Sequence, residues 1–236
     1  MHRETSKITR MTIQDIQKIQ SIYENYRNLE QAKKMAAYMK NKFPFLGVPS
    51  PLRNELNKSL FQELGQVDLI NLEPLVLKLW ALPEREYQYL AINLISKLKN
   101  KLTPSHLEFI LELIVDKSWW DTIDALAPNF IGSILGNYPD LQEEYIPIWT
   151  KSENIWINRT AILFQLKYKN ETNFNLLTHI IDTLKHKNEF FVKKAIGWAL
   201  REYSKTEPKL VESYIKDANL QALSEKEGLR IILKKK

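Results

Sequence analysis

Asp124 follows Trp120 by four residues, which on a helix puts a carboxylate and an indole on one face. Such a pair can steady a developing positive charge, the anion through space and the aromatic face through its π-electrons. Arg159 stands in residues 155–166, a segment apolar on most sides, where a guanidinium needs an anionic partner or an open groove. Two partners are open to it: the Asp124 carboxylate, or a phosphate that its planar fork would fit. Further on, Lys194, Trp198 and Arg201 fall at i, i+4 and i+7, an aromatic between two cations along one stripe. That order resembles a nucleic-acid contact pattern. Gly197 beside Trp198 removes a side chain and so admits a neighbouring backbone or a ligand. Plainer readings stand beside these: both tryptophans fit a core, Asp124 fits an acid satisfied by a nearby cation, and the stripe fits a solvated basic face.

The elements that must position these residues are helical almost throughout. Tyr87, Leu90, Ala91, Leu94, Ile95 and Leu98 recur as one amphipathic face. Thr103 before Pro104, and Thr206 two residues before Pro208, read as helix starts. Ala91, Ala125, Ala161 and Ala195 repeat at spacings of 34, 36 and 34 residues, the period of helix-pair repeats, with second helices expected over residues 104–115 and 174–184. A helix pair cannot bury its apolar face alone, so the pairs stack, and the fold class is an all-α solenoid forming one domain over residues 1–236, with residues 1–10 a polar N-terminal extension. Aligned on those alanines, Asp124 stands where the other helices carry Leu90, Thr160 and Lys194, and Arg159 where they carry Tyr89, Ile123 and Lys193. Trp120 aligns with Glu86, Trp156 and Phe190, and Trp198 with Leu94, Pro128 and Phe164. Pro128, four residues past Asp124, lacks the N–H that the Asp124 carbonyl would bond, so the helix must kink or loosen there.

Composition excludes several chemistries. There is no cysteine, hence no disulfide, thiolate metal site or thiol nucleophile, and the four histidines lack ligand spacing. No Gly-rich phosphate loop, dinucleotide fingerprint or zinc pattern occurs, so neither a cofactor nor a metal is expected. No signal peptide or apolar run of membrane-spanning length is found, which points to the cytoplasm. Residues 151–236 hold 17 Lys and Arg against 10 Asp and Glu, whereas residues 1–150 hold 17 against 18. The whole surplus is C-terminal, which suits a polyanionic partner.

The segments "AAYMKNKFPFLG", "LPERE", "KSWWDTIDALAP", "NIWINRTAILFQLKYK" and "EFFVKKAIGWALREYSKTEP" run in order over most of the chain. Together they resemble the AlkD-type DNA alkylation repair glycosylases, right-handed superhelical solenoids of HEAT-like repeats. That resemblance implies a catalytic carboxylate at Asp124, paired cleft aromatics at Trp120 and Trp198, a DNA-binding arginine at Arg159 and an additional cleft residue at Tyr38. Lys194 and Arg201 join the expected DNA contacts through their flanking of Trp198. The departures are the longer polar N-terminus and the short lysine-rich end.

The activity implied is a monofunctional glycosylase that hydrolyses the N-glycosidic bond of cationic N3- or N7-alkylated purines in duplex DNA. It would leave an abasic site without enclosing a flipped base. Alkylation makes the base a good leaving group, so the protein has only to stabilise an oxocarbenium-like sugar and orient water. The expected partner is duplex DNA with alkylated bases, bound by a monomer with no obligate protein partner, on the nucleoid when engaged. Two alternatives remain open: a non-catalytic HEAT-like module on bent or branched DNA, and a protein-interaction scaffold.

Overall fold

The apolar face that begins at Tyr87 forms one helix, and all six of its residues are buried. It lies in a computed structural model that describes residues 10–234; the expected N-terminal extension falls, apart from Arg10, outside the described residues. Among the described residues there are helices and turns but no strand, with one isolated bridge between Arg10 and Gln66. The chain divides into two compact units, Met1–Lys101 and Leu102–Lys236.

The first unit contains α1 (Ile16–Glu24), α2 (Leu29–Tyr38), α3 (Ser50–Glu63), α4 (Leu69–Ala81) and α5 (Arg85–Lys97). α4 packs along α5, and α1 packs on α3 and α4. A buried acid ties this unit together: the Glu86 carboxylate accepts hydrogen bonds from the backbone N–H groups of Leu46, Gly47 and Val48 at 2.9 to 3.0 Å. Next to it Arg85, also fully buried, lies over the Phe43 ring at 3.8 Å. The "LPERE" segment thus anchors the loop between α2 and α3.

The second unit contains α6 (Leu107–Val115), α7 (Trp120–Leu126), α8 (Gly132–Asn137), α9 (Asp140–Lys151), α10 (Ile155–Leu163), α11 (Phe174–Leu184), α12 (Phe190–Tyr203), α13 (Pro208–Asp217) and α14 (Ala222–Leu229). The helices form two rows: α7 packs on α10, α10 on α12 and α12 on α14, while α8 packs on α9 and α9 on α11. Ile123, Leu126, Leu163, Ile180, Ile181, Val192 and Ile196 are buried in this unit, each worth about 1.5–3 kcal/mol in water-removed area. Of the four aligned alanines, Ala91, Ala161 and Ala195 are fully buried and Ala125 is partly exposed.

α7 does not stop at Leu126 but widens into a π-helical turn, Ala127–Ile131, that runs on into α8. Pro128 has no N–H to continue the α-helical ladder, and the Gly132 N–H reaches back five residues to the Ala127 carbonyl instead. Three expected boundaries shift. The helix expected over residues 104–115 opens as a 3-10 turn, Pro104–His106, and becomes α6 only at Leu107. The helix expected over residues 155–166 ends at Leu163, its last residues turning into a loop that the Gln165 side chain closes on the Asn173 backbone. Glu207, not Thr206, caps α13, because Pro208 takes the first helical position.

Candidate active site

Asp124 is brought to Arg159 because α7 lies against α10. Further along the same continuous helix, Gly132 lets the start of α8 sit against the end of α10, since a Cβ there would stand 2.2 Å from the Phe164 carbonyl oxygen. The Arg159 Nε donates to Asp124 Oδ1 at 2.8 Å and Nη2 donates to Oδ2 at 2.9 Å, a two-pronged pair that fixes the carboxylate plane. The third arm, Nη1, donates to the Phe191 carbonyl at 2.5 Å, so the guanidinium also spans to the first turn of α12. The Asp124 side chain keeps 21% of its surface accessible and that of Arg159 only 5%. The carboxylate therefore faces the open side, with the arginine behind it.

What it faces is a cleft of about 420 Å³ lined by Trp120, Asp124, Arg159, Phe190, Phe191, Lys194, Trp198, Arg201, Glu227 and Arg230. Burial pushes the Asp124 carboxyl above the usual aspartate range; the Arg159 charge and its hydrogen bonds pull the other way, and Asp121 adds to the rise. Behind the cleft, Trp119 and Trp156 pack edge and tilted against Phe191, with ring centroids 5.0 Å apart in each case. This aromatic wall sets the first turn of α12, and with it the Phe191 carbonyl that Arg159 bonds.

The second wall comes from α12 and α14. Lys194 Nζ donates to Glu227 Oε1 at 2.8 Å and Arg201 Nη1 donates to Glu227 Oε2. Lys194 first, then the charges of Lys194, Arg201 and Arg230, holds the Glu227 carboxyl below the usual glutamate range. Gly197 explains how α14 comes so near, since a Cβ there would meet the Glu227 Cβ at 2.5 Å and the Ser224 carbonyl at 2.9 Å. Of the two neighbours that this glycine could admit, the structure shows a helix.

Six of the seven singled-out residues therefore converge: Trp120, Asp124, Arg159, Lys194, Trp198 and Arg201 line one cleft. The core positions equivalent to Trp198, namely Leu94, Pro128 and Phe164, are buried, whereas Trp198 is partly exposed on the cleft. Tyr38 belongs to the first unit, where it is 70% exposed and lines a groove with Lys34, Arg53 and Tyr89. Of the two partners open to Arg159, Asp124 is the one it holds. Glu227, Arg230 and Phe191 were not singled out from the sequence. Glu227 meets its cations only through a contact 26 to 33 residues away, and Phe191 contributes a carbonyl, which no residue type announces.

Among the described residues no group of three His, Asp or Glu side chains could hold a metal ion, and no helix is long and apolar enough to cross a membrane.

A sequence model described as "DNA alkylation repair enzyme" matches residues 19–232. A solved structure titled a predicted DNA alkylation repair enzyme from Enterococcus faecalis is 36% identical, with a TM-score of 0.81 over 88% of this chain and 97% of that one. The smu.31 protein of Streptococcus mutans UA159 shares the fold at 18% identity and a TM-score of 0.56, over 87% of this chain and 97% of its own. Curated proteins give no match. The family match spans nearly all of both units and contains every residue of the cleft, and the chain belongs to the DNA alkylation repair enzyme family.

Proposed function

We propose that this protein is a monofunctional DNA glycosylase that hydrolyses the N-glycosidic bond of N3- or N7-alkylated purines in duplex DNA. One observation carries the reading: a carboxylate, Asp124, is clamped in one orientation by Arg159 and presented to an open cleft lined by the indoles Trp120 and Trp198. As the bond from the sugar C1′ to the base nitrogen breaks, its electron pair goes to the base, which leaves neutral because alkylation had made it cationic. Positive charge then grows on the sugar. Asp124 stabilises that charge and orients water toward C1′, the indole faces add cation–π attraction, and as the new C–O bond forms the water keeps one proton on the sugar hydroxyl and loses the other to bulk solvent.

An open cleft suits a lesion that distinguishes itself by its own charge, and so the base need not be enclosed as in base-flipping enzymes. No lysine is placed by motif to form a Schiff base, which leaves an abasic site as product. Lys194, Arg201 and Tyr38 are the proposed DNA contacts, with Arg159 acting chiefly on Asp124. A cytoplasmic monomer is the proposed working form. Incubation with methylated duplex DNA should release free N7-methylguanine and N3-methyladenine in single-turnover reactions. Salt-sensitive binding with no base released would overturn the reading in favour of a non-catalytic DNA-binding module.

A further inference from the structure

Trp198 is flanked on α12 by Lys194 and Arg201, and both cations end on the same carboxylate, Glu227 of α14. That carboxylate is only 16% exposed, and the tight seat of α14 at Gly197 leaves it little room to turn elsewhere. Arg230, from the end of α14, lines the same cleft. Without Glu227, Lys194, Arg201 and Arg230 would share about 420 Å³ with one further carboxylate, Asp124, already matched by Arg159. A second cation on Asp124 would favour its ionised form yet cancel the charge that a sugar cation needs.

We propose that Glu227 is a positioning residue: it holds Lys194 and Arg201 on the α12–α14 wall, so that the Asp124 carboxylate meets the cleft with Arg159 as its ion partner. The inference rests on the catalytic reading of Asp124 given above. The charged groups around Asp124 are Arg159 of α10, Asp121 of α7 and, across the cleft, Lys194 and Arg201 of α12 with Glu227 and Arg230 of the α14 end.

The experiment compares the wild type, Glu227→Gln and the double variant Glu227→Gln with Lys194→Met, each first shown by thermal melting to be folded. Base release from methylated duplex is followed against pH, and binding of undamaged duplex against salt. In Glu227→Gln the midpoint of the pH–rate profile should move to lower pH while the maximal rate falls about tenfold. Lys194 and Arg201, no longer sharing their charge with a carboxylate, should engage the phosphates more strongly and steepen the log–log salt dependence of binding by about 1. Adding Lys194→Met should return the midpoint toward the wild type. Glu227→Asp, which keeps the charge on a shorter arm, should move every readout the same way by less, and it replaces the glutamine variant if that one does not fold.

An unmoved midpoint in Glu227→Gln, or an equal shift in the double variant, overturns the proposal. Should the wild type release no base at all, the catalytic reading is what fails. The salt slope then decides alone whether Glu227 occupies the two cations, and an unchanged slope rejects that too.

Discussion

Arg159 reaches both oxygens of Asp124 from 35 residues further along the chain and, with its remaining arm, the carbonyl of Phe191. One side chain thus joins three successive helices of one row, α7, α10 and α12, at the spot where the cleft opens. The pair is asymmetric in a useful way, since the base of the fork is buried and the carboxylate is wetted. Its worth to stability is limited by the cost of desolvating two charges. In the proposed reaction its worth lies in orientation, because a carboxylate held at two points needs no rearrangement as charge develops nearby.

Asp124→Asn keeps the shape and one acceptor oxygen for Arg159, so the chain should fold. It removes the negative charge, and release of N7-methylguanine should fall by about 100-fold or more. Quantifying free base in single-turnover reactions checks this; an unchanged rate would remove Asp124 from the chemistry.

Because burial raises the Asp124 pKa, base release should decline with acidification at a pH above the ordinary aspartate range, as the carboxylate takes up a proton. The linkage sign is the reverse for stability. A folded-state pKa above the unfolded value means that protonation favours the folded chain, and that contribution fades only as pH rises through the folded value. Activity should therefore fade on the acid side before circular dichroism reports loss of helix.

Arg159→Lys retains one charge but has no fork, so it cannot hold both Asp124 oxygens and the Phe191 carbonyl together. The expected result is a fall in maximal rate larger than any rise in KM, with a loss of about 2–3 kcal/mol in urea unfolding from the buried bonds left unmade. Equal rates in the two proteins would show that carboxylate orientation is unimportant.

Glu86 lies in the first unit, so its replacement tests the scaffold without touching the cleft residues. Glu86→Gln swaps one acceptor oxygen for a donor that faces backbone N–H groups, and should cost about 2–4 kcal/mol. Chemical denaturation reads this directly; a loss below about 0.5 kcal/mol would mean that the loop between α2 and α3 is held by other contacts.

Much of the scaffold is legible in the sequence because helix periodicity and proline chemistry are local. Tyr87 to Leu98 reads as one face and is one, and residues 174–184 form α11 as the repeat implies. The loosening at Pro128 follows from a missing N–H, although nothing local says that it will take the form of a π-turn. The site is legible through anomalies, Asp124 and Arg159 being polar where their repeat equivalents are not uniformly so. Glu227 escapes this test. In the run Glu225, Lys226, Glu227 it looks like one more solvated charge, and only the packing of α14 on α12 through Gly197 turns it inward. Thr206 misled for the opposite reason, since proline fixes a helix start more firmly than a hydroxyl one residue too early.

The widened turn after Leu126 has a consequence for how this helix tolerates change. A π-turn is one residue longer than the α-helical turn it replaces, so it sets a phase offset of about 100° between the residues before it and those after it. Asp124 and Trp120 lie on one side of that offset, and the buried Ile131, Ile134 and Leu135 on the other. Deleting Pro128 would let this turn close as a regular α-turn with the two halves still in step, whereas straightening it with no residue lost would put them out of step: either the acid swings away from its arginine or the apolar residues swing away from the core.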